Sequence, residues 1–201
     1  MELLFSGLSP YVRKVSIVAH EHGLADRLRL TKVNTRSEPE KITPYNALAK
    51  IPVLITDQGV ALCDSTVICE YLDAEFGDCR LLPRSGPRRW EILTICALAD
   101  GLLDAALLAR LERARLASEQ STEWIALQLG KVNRGLDRLE QIVDACGSDL
   151  DMAQVGMGAA AGYIPLRLPD FDGLQKWPKL KAWYESQLRR PSFASTVPVL
   201  Q

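Results

Sequence analysis

The sequence predicts a small α/β domain followed by an all-helical domain. Over roughly the first 78 residues, short apolar runs typical of strands alternate with segments of helical spacing. Residues 79–89, CRLLPRSGPRR, place two prolines and a glycine among charged side chains, which is typical of a linker. After that segment no strand pattern occurs, and apolar residues repeat at helical spacing. We therefore expect domains at 1–78 and 90–201, joined by a linker at 79–89.

Four strands are predicted in the first half of the chain. Their apolar runs occupy 2–5, 28–33, 51–56 and 60–63. The turn sequence Asp57-Gln58-Gly59 stands between the last two runs and predicts that they form a hairpin. Pro52 lies at the start of the third run, where a proline argues against ordinary pairing in a central strand. It suits a special turn instead, and we expect the Ile51–Pro52 peptide bond to be cis.

Helices are predicted where apolar residues recur three or four positions apart. The predicted helices span 12–22, 67–76, about 90–117 and about 119–146, and two more follow. Gly23 and Gly77 close the first two, because glycine tolerates the backbone conformation at a helix C-terminus. The long helix from Trp90 is apolar around most of its circumference, so we expect it to be deeply buried or to form part of an interface.

The turn between the first strand and the first helix, SGLSPYVRK, allows two interpretations. Ser9 can be the N-cap and Pro10 the first helical residue, with Arg13 and Lys14 on a solvated face or Arg13 reaching local carboxylates or carbonyls. Alternatively, the helix start receives an anion, since free N–H groups, the helix dipole, a hydroxyl and nearby cations all stabilise a negative group. The two interpretations are compatible, and the turn alone does not decide between them.

Charge and hydropathy exclude several classes of function. The 24 Lys and Arg residues nearly balance the 25 Asp and Glu residues, whereas nucleic-acid-binding proteins carry a strong basic excess. The first residues lack the basic start and long apolar stretch of a signal peptide. Asp100 and Asp104 interrupt the longest apolar segment, so we expect no membrane span. The sequence predicts a soluble, cytoplasmic protein.

The cysteines and histidines argue against disulfides and metal sites. Five cysteines are present, an odd number, and no two of them form a CxxC pair, so reduced thiols in a reducing compartment are expected. The two histidines, His20 and His22, are two residues apart on a predicted helix and point to different faces. Such a pair is a poor metal site, and we expect no metal.

Five segments together resemble one known family. SPYV occupies the strand-to-helix turn where thioredoxin-fold oxidoreductases carry a sequence of the type C-P-Y-C, with Ser9 at the first cysteine. NALAKIPVL places Pro52 at a strand start, and LCDSTVICEYL ends a strand with Asp64-Ser65 at a helix start. In the second half, SDLDMAQVGMGAAAGYI and WPKLKAWYESQLRRPSFASTVP look like a capped sixth helix and a closing helix. In this order they resemble the cytosolic glutathione S-transferase family, most nearly its small bacterial, serine-type members.

The resemblance implies a fold and a set of ligands. Residues 1–78 would form a thioredoxin-like, glutathione-binding α/β domain, and 90–201 an all-α domain. Glutathione would be the co-substrate, with a hydrophobic electrophile as the second partner, and neither a metal, a nucleic acid nor a membrane would be involved. The family resemblance also implies a homodimer that joins the α/β half of one subunit to the helical half of the other.

The resemblance further assigns roles to five residues at the glutathione site. Ser9 would donate its hydroxyl to the glutathione sulfur, and Val53, after Pro52, would pair its backbone with the cysteinyl unit. Ser65 and its N–H would hold the γ-glutamyl carboxylate, Asp64 would face the ammonium group, and Lys50 would approach the glycyl carboxylate. By local sequence alone Asp64 or Ser65 can be merely an N-cap, and Lys50 can face solvent. The family commonly carries Glu or Gln where Asp64 stands, one methylene longer.

The implied activity is transfer of an alkyl or aryl group to the glutathione sulfur, as in detoxification. A hydroxyl hydrogen bond and a helix dipole would favour the thiolate, which attacks an electrophilic carbon. The apolar second substrate would lie near Tyr11, Leu107, Arg110 and Tyr163. Alternatives on the same scaffold are a glutathione-dependent dehalogenase, isomerase or peroxidase, and a binding or regulatory protein without catalysis.

A capping motif is predicted before the helix that follows residue 150. Asp151-Met152-Ala153-Gln154 stands where the family usually has Ser/Thr-x-x-Asp. Asp at the N-cap and Gln at N3 can satisfy two backbone donors reciprocally, and Leu150 against Val155 makes a hydrophobic staple.

Overall fold

The computed structural model describes residues 1–198, which fall into two compact units. The first unit comprises Met1–Arg84 together with the segment from Arg190, and the second is Ser85–Arg189. The division between Arg84 and Ser85 lies within the segment predicted as a linker. The sequence predicts that the helical domain spans 90–201, and this bound is wrong for the segment from Arg190, which packs with the α/β unit.

The first unit is built on a four-stranded mixed sheet. Its strands are β1 (Glu2–Phe5), β2 (Arg29–Lys32), β3 (Val53–Ile55) and β4 (Ala61–Leu62), in the order β2-β1-β3-β4. β1 and β2 are parallel, while β3 is antiparallel to both of its neighbours, β1 and β4. Leu4, Val33, Ile42 and Val53 form a buried cluster against the sheet. The thioredoxin-like α/β fold expected from the sequence is confirmed.

Two helices and a short C-terminal helix complete this unit. α1 (Pro10–Glu21) and α2 (Ser65–Phe76) pack against each other, and 3-10 turns occur at Ala25–Arg27 and Pro39–Lys41. A later four-residue helix, Pro191–Ala194, packs on α1. Phe193 is fully buried, the Arg13 guanidinium donates to its carbonyl oxygen at 3.5 Å, and the Ser192 hydroxyl donates to Glu21 at 2.6 Å. These contacts are the physical reason that the C-terminal segment belongs to the first unit.

The second unit is entirely helical over its described residues. Its helices are α3 (Pro87–Arg113), α4 (Thr122–Ile142), α5 (Met152–Arg167) and α6 (Pro178–Gln187). The label α7 denotes the Pro191–Ala194 helix of the first unit. 3-10 turns lie at Ala117–Glu119, Val143–Ala145 and Pro169–Leu174. α3 starts inside the predicted linker, because Pro87 occupies the first helical position, where proline is favoured. The all-α class of this domain is confirmed.

α3 is the central helix of the second unit and packs against both α4 and α5. It is 27 residues long and apolar enough in composition to cross a membrane, contrary to the expectation that no such segment exists. Packing on two sides gives a physical reason for this composition, since Ile92, Leu102 and Leu103 are all buried. The core helix of a soluble protein has the same length and composition, so the helix is weak evidence for a membrane span.

The predicted N-cap of α5 is confirmed, but the predicted return hydrogen bond from the Gln154 side chain to the cap is wrong. The Asp151 carboxylate accepts the Gln154 N–H at 3.0 Å, as an N-cap does. The Gln154 side chain, however, does not reach back to the cap, because its amide donates to the carbonyl oxygens of Gly147 and Asp149 instead. Leu150 and Val155, the predicted staple, are both buried.

Candidate functional site

Ser9 is the N-cap of α1 and confirms the simpler of the two interpretations of this turn. Its hydroxyl oxygen accepts the Val12 N–H at 3.3 Å, and Pro10 follows as the first helical residue. A serine hydroxyl has one proton and two lone pairs, so accepting one hydrogen bond leaves its donor available. Within residues 1–198 the Ser9 hydroxyl donates no hydrogen bond. The cap therefore does not exclude a ligand that accepts from Ser9.

Asp64 and Ser65 begin α2. Asp64 is exposed and is the N-cap, with its carboxylate accepting the Thr66 N–H at 3.0 Å. Ser65 is the first helical residue and is 2 % exposed. In the part of the chain that the structure describes, its N–H and O–H donate no hydrogen bond. The N-terminus of α2 thus presents two unused donors beside a capping carboxylate.

The Ile51–Pro52 peptide bond is cis, as the sequence predicts. The next residue, Val53, opens β3 and pairs with Leu4 of β1. Pairing between β3 and β4 begins one residue later, with Leu54 opposite Leu62. The β3–β4 ladder therefore leaves out the Val53 backbone.

Strand direction brings these three segments to one edge of the sheet. Ser9 follows the carboxyl end of β1, and Asp64-Ser65 follows the carboxyl end of β4. Because β3 runs antiparallel to both strands, its first residue, Val53, lies at that same edge. The sheet thus places a helix-capping hydroxyl, a strand start and a second helix N-terminus side by side.

Lys50 lies on the loop that enters the cis-proline turn, and it is exposed. Its carbonyl oxygen accepts a hydrogen bond from the Asn46 side-chain amide at 3.0 Å, while the Asn46 side-chain oxygen accepts the Leu48 N–H at 3.1 Å. Asn46 thereby fixes the loop backbone directly before Pro52, a role that the sequence did not predict. The Asn side chain favours such local turns, which is the signal that identifies it.

Lys14, one of the two cations that the sequence places near the start of α1, contacts the first residue of α2. It does not lie on a solvated face, because only 2 % of the residue is exposed and its amino group donates to the Ser65 hydroxyl at 3.5 Å. Arg13 is also buried and reaches the Phe193 carbonyl instead. The spacing of residues on α1 indicates the burial of Lys14. Pro10 and Val18, each four positions from Lys14, are buried on the same face of the helix.

Tyr11, the first candidate for the substrate pocket, is half-buried in the first turn of α1. The other three, Leu107, Arg110 and Tyr163, belong to the helical unit. Leu107 and Arg110 are half-buried on α3, and Tyr163 is buried on α5. Burial raises the pKa of the Tyr163 hydroxyl, and the charges of Arg110 and Arg167 oppose that shift. The helical unit thus brings Arg110 and Tyr163 together.

A cavity of about 360 Å³ opens in the first unit, where β1 and β2 end. Its lining includes none of the residues selected from the sequence. Lys32, the last residue of β2, lines it together with residues that follow β1 and β2, namely Ser6, Val33, Asn34, Thr35 and Glu38. Since β1 and β2 are parallel, the cavity lies at the sheet edge from which the Ser9 turn also leaves.

Comparison with known proteins shows the family. Residues 8–75 match the glutathione S-transferase N-terminal domain, and residues 122–186 match the glutathione S-transferase C-terminal domain. The GST-like protein YibF of Escherichia coli (strain K12), described as uncharacterized, is 33% identical over 201 residues, which cover 98% of each chain.

Two solved structures of a glutathione transferase family member from Pseudomonas fluorescens Pf-5 are also similar. One contains bound glutathione, with 37% identity, a TM-score of 0.94 and coverage of 99% of both chains. The other contains bound S-(propanoic acid)-glutathione, with 38% identity, a TM-score of 0.89 and coverage of 100% of both chains. With both domain matches in chain order and a full-length relative above 30% identity, this chain belongs to the glutathione S-transferase family.

Proposed function

We propose that the protein is a glutathione transferase that joins the sulfur of glutathione to an electrophilic, largely apolar small molecule. The observation that carries this proposal is the shared sheet edge of Ser9, Val53 and Asp64-Ser65. The Pseudomonas relative with bound glutathione supports the choice of ligand, since it aligns over 99% of both chains.

For each charged group of glutathione we propose a partner of suitable charge or hydrogen-bonding capacity. Glutathione carries two carboxylates, an ammonium group and a thiol. The free N–H and hydroxyl of Ser65 suit the γ-glutamyl carboxylate, because a helix N-terminus stabilises negative charge. Asp64 is the proposed partner of the ammonium group, and the exposed Lys50 that of the glycyl carboxylate. The Val53 backbone, outside the β3–β4 ladder, is the proposed partner of the cysteinyl backbone.

Ser9 is the proposed catalytic residue. Its unused hydroxyl proton would donate to the glutathione sulfur, and the N-terminus of α1 adds a positive potential. Both effects favour thiolate over thiol and lower the pKa of the thiol. The thiolate then attacks an electrophilic carbon, a carbon–sulfur bond forms, and the leaving group departs with the electron pair of the broken bond.

For the second substrate we propose contacts with Tyr11 of the α/β unit and with Leu107, Arg110 and Tyr163 of the helical unit. The Pseudomonas relative with bound S-(propanoic acid)-glutathione holds an S-alkyl conjugate, which is the class of product that this reaction gives. All five cysteines are free thiols, which fits the proposed cytoplasmic location.

Calorimetric titration with glutathione, followed by an assay of thiol consumption with a panel of aryl halides, alkyl halides and activated alkenes, tests the proposal. We expect binding and conjugate formation in the wild type, and much slower conjugation in Ser9→Ala with binding retained. Release of halide without a stable conjugate would indicate a dehalogenase. Binding without any turnover would indicate a regulatory protein, and absence of binding would refute the proposal.

A further inference from the structure

Lys14 is an unusual residue for a buried helix face. It lies on the buried face of α1, in register with Pro10 and Val18, where an apolar side chain would be expected. Removing an amino group from water is unfavourable, and replacing buried charges by apolar side chains of similar volume is often neutral or stabilising. A lysine at this position therefore suggests a requirement other than packing.

The contact of Lys14 with Ser65 constrains the direction of the Ser65 proton. The amino group of Lys14 donates to the Ser65 hydroxyl oxygen at 3.5 Å, at the long end of the hydrogen-bond range. Since that oxygen accepts from Lys14, the single proton of the hydroxyl must point elsewhere. Ser65 is also the first residue of α2, so its N–H has no partner inside the helix. Both Ser65 donors are thereby available to one ligand group.

We propose that Lys14 is a positioning residue for the γ-glutamyl carboxylate of glutathione. It orients the Ser65 hydroxyl toward that carboxylate and supplies a buried positive charge behind it. The proposal rests on the glutathione-binding function proposed above, and assigns to Lys14 a role that no local pattern around Ser65 reveals. Hydrogen bonds in unliganded sites are often long and shorten when the ligand binds, so we expect the 3.5 Å contact to tighten.

Arg13 provides a matched comparison in the same helical turn. It is buried to the same degree as Lys14, with 3 % and 2 % of the residues exposed. Its guanidinium donates to the Phe193 carbonyl oxygen of the C-terminal segment. The two adjacent cations thus contact different parts of the unit. Arg13→Met therefore removes a neighbouring buried cation of α1 together with its contact to Phe193.

The experiment compares two ligands in calorimetric titrations of the wild type, Lys14→Met and Arg13→Met. One ligand is glutathione, and the other is 4-aminobutyryl-cysteinyl-glycine, which lacks only the α-carboxylate of the γ-glutamyl unit. In Lys14→Met we expect glutathione to bind on the order of 10- to 100-fold more weakly, as for a lost hydrogen bond to a charged group. Binding of the analogue should change less than threefold. Arg13→Met should change the affinity for neither ligand.

The outcomes separate this proposal from the proposed function. Equal weakening of both ligands in Lys14→Met, or no weakening of either, would show a purely structural role and overturn the proposal. If the wild type binds neither ligand, the proposed function fails and the role of Lys14 fails with it. Should Lys14→Met not fold, as judged by circular dichroism, Lys14→Gln replaces it and must show the same selective loss.

Discussion

The Ser9 hydroxyl has two lone pairs and one proton, and the structure uses only one lone pair. That lone pair accepts the Val12 N–H and caps α1. The remaining proton can donate to a sulfur without disturbing the cap, since the two hydrogen bonds use different parts of the same group. One small side chain can therefore begin the helix and stabilise a thiolate at its N-terminus.

Replacing Ser9 by alanine should raise the thiol pKa of bound glutathione by about 1 to 2, because a hydrogen bond to a charged group contributes about 1.5–3 kcal/mol. Loss of the cap should also lower the free energy of unfolding by about 1 kcal/mol. Ultraviolet absorbance of the thiolate against pH measures the first effect, and urea denaturation the second. Ser9→Thr, which keeps a hydroxyl, is the control. A titration unchanged in Ser9→Ala would leave Ser9 as a cap only.

A second residue-scale feature is the buried pair of His22 and Asp73. The His22 Nε2 atom lies 3.0 Å from Asp73 Oδ1, and both side chains are almost completely buried. The Asp73 carboxylate also accepts the backbone N–H groups of Leu81 and Leu82, at 3.0 and 2.8 Å. Burial lowers the pKa of His22 from its usual 6.5, although the charge of Asp73 opposes the shift. His22 is thus held neutral in the folded protein near pH 7.

This shift predicts a loss of stability on mild acidification. Because the folded pKa of His22 lies below the unfolded value of 6.5, the unfolded chain binds the proton first as the pH falls. The stabilising contribution of neutral His22 is present above pH 6.5 and is lost as the pH falls from there through the lower folded pKa. Urea denaturation between pH 5 and 7.5 should show this slope in the wild type. The slope should be smaller in His22→Gln and unchanged in His20→Gln, and equal slopes in all three proteins would contradict the assignment.

At the scale of elements, the start of α5 carries both a cap and an ion pair. One oxygen of Asp151 caps the helix, and the other lies 2.7 Å from the Arg88 guanidinium on α3. Gln154 is buried and ties the preceding turn to the helix through its two carbonyl contacts. The entry into α5 therefore depends on Asp151 for local capping and for its link to α3.

Asp151→Ala should lower the free energy of unfolding by about 1 kcal/mol through loss of the cap, and slightly more through loss of the partly exposed ion pair. Thermal melts followed by circular dichroism measure the effect. Arg88→Gln is the control, because it removes the ion pair and leaves the cap. Equal melting temperatures for the wild type and Asp151→Ala would show that the cap contributes no measurable stability.

At the scale of the whole molecule, α2 and α3 leave apolar side chains uncovered in the single chain. Bundle packing buries Ile92, Leu102 and Leu103, yet Trp90 and Leu108 of α3 and Val67 of α2 remain exposed, at 65 %, 41 % and 48 %. Singly exposed apolar residues are common on protein surfaces, whereas a contiguous group of them marks an interface. We propose that these side chains are covered in the homodimer that the family resemblance implies.

Light scattering at micromolar concentration should give about twice the mass of one chain. Val67→Glu should shift the protein toward the monomer, because a carboxylate buried without a partner in an interface is strongly unfavourable. Leu116→Glu, at a 70 % exposed position between α3 and α4, should leave the dimer intact. A wild-type protein that is strictly monomeric and still binds glutathione would refute the dimer and leave the glutathione site unaffected.

Several features of this molecule were predictable because they depend on groups close together in the chain. The caps at Ser9 and Asp151 join a side chain to an N–H three residues ahead, and the order of residues alone specifies them. The cis bond before Pro52 is similarly local. The hairpin of the third and fourth strands is local as well, since the turn Asp57-Gln58-Gly59 joins them. The sequence thus determined the class of each domain and most of the residues at the sheet edge that holds the candidate site.

Only the tertiary structure decided which surfaces are covered. The position of Lys14 against Ser65 depends on α1 packing against α2, whose residues are about fifty positions apart. The return of Phe193 to α1 depends on a contact across 180 residues. Local hydrogen-bond rules cannot specify such contacts, because burial is a property of the assembled surfaces and not of either segment alone.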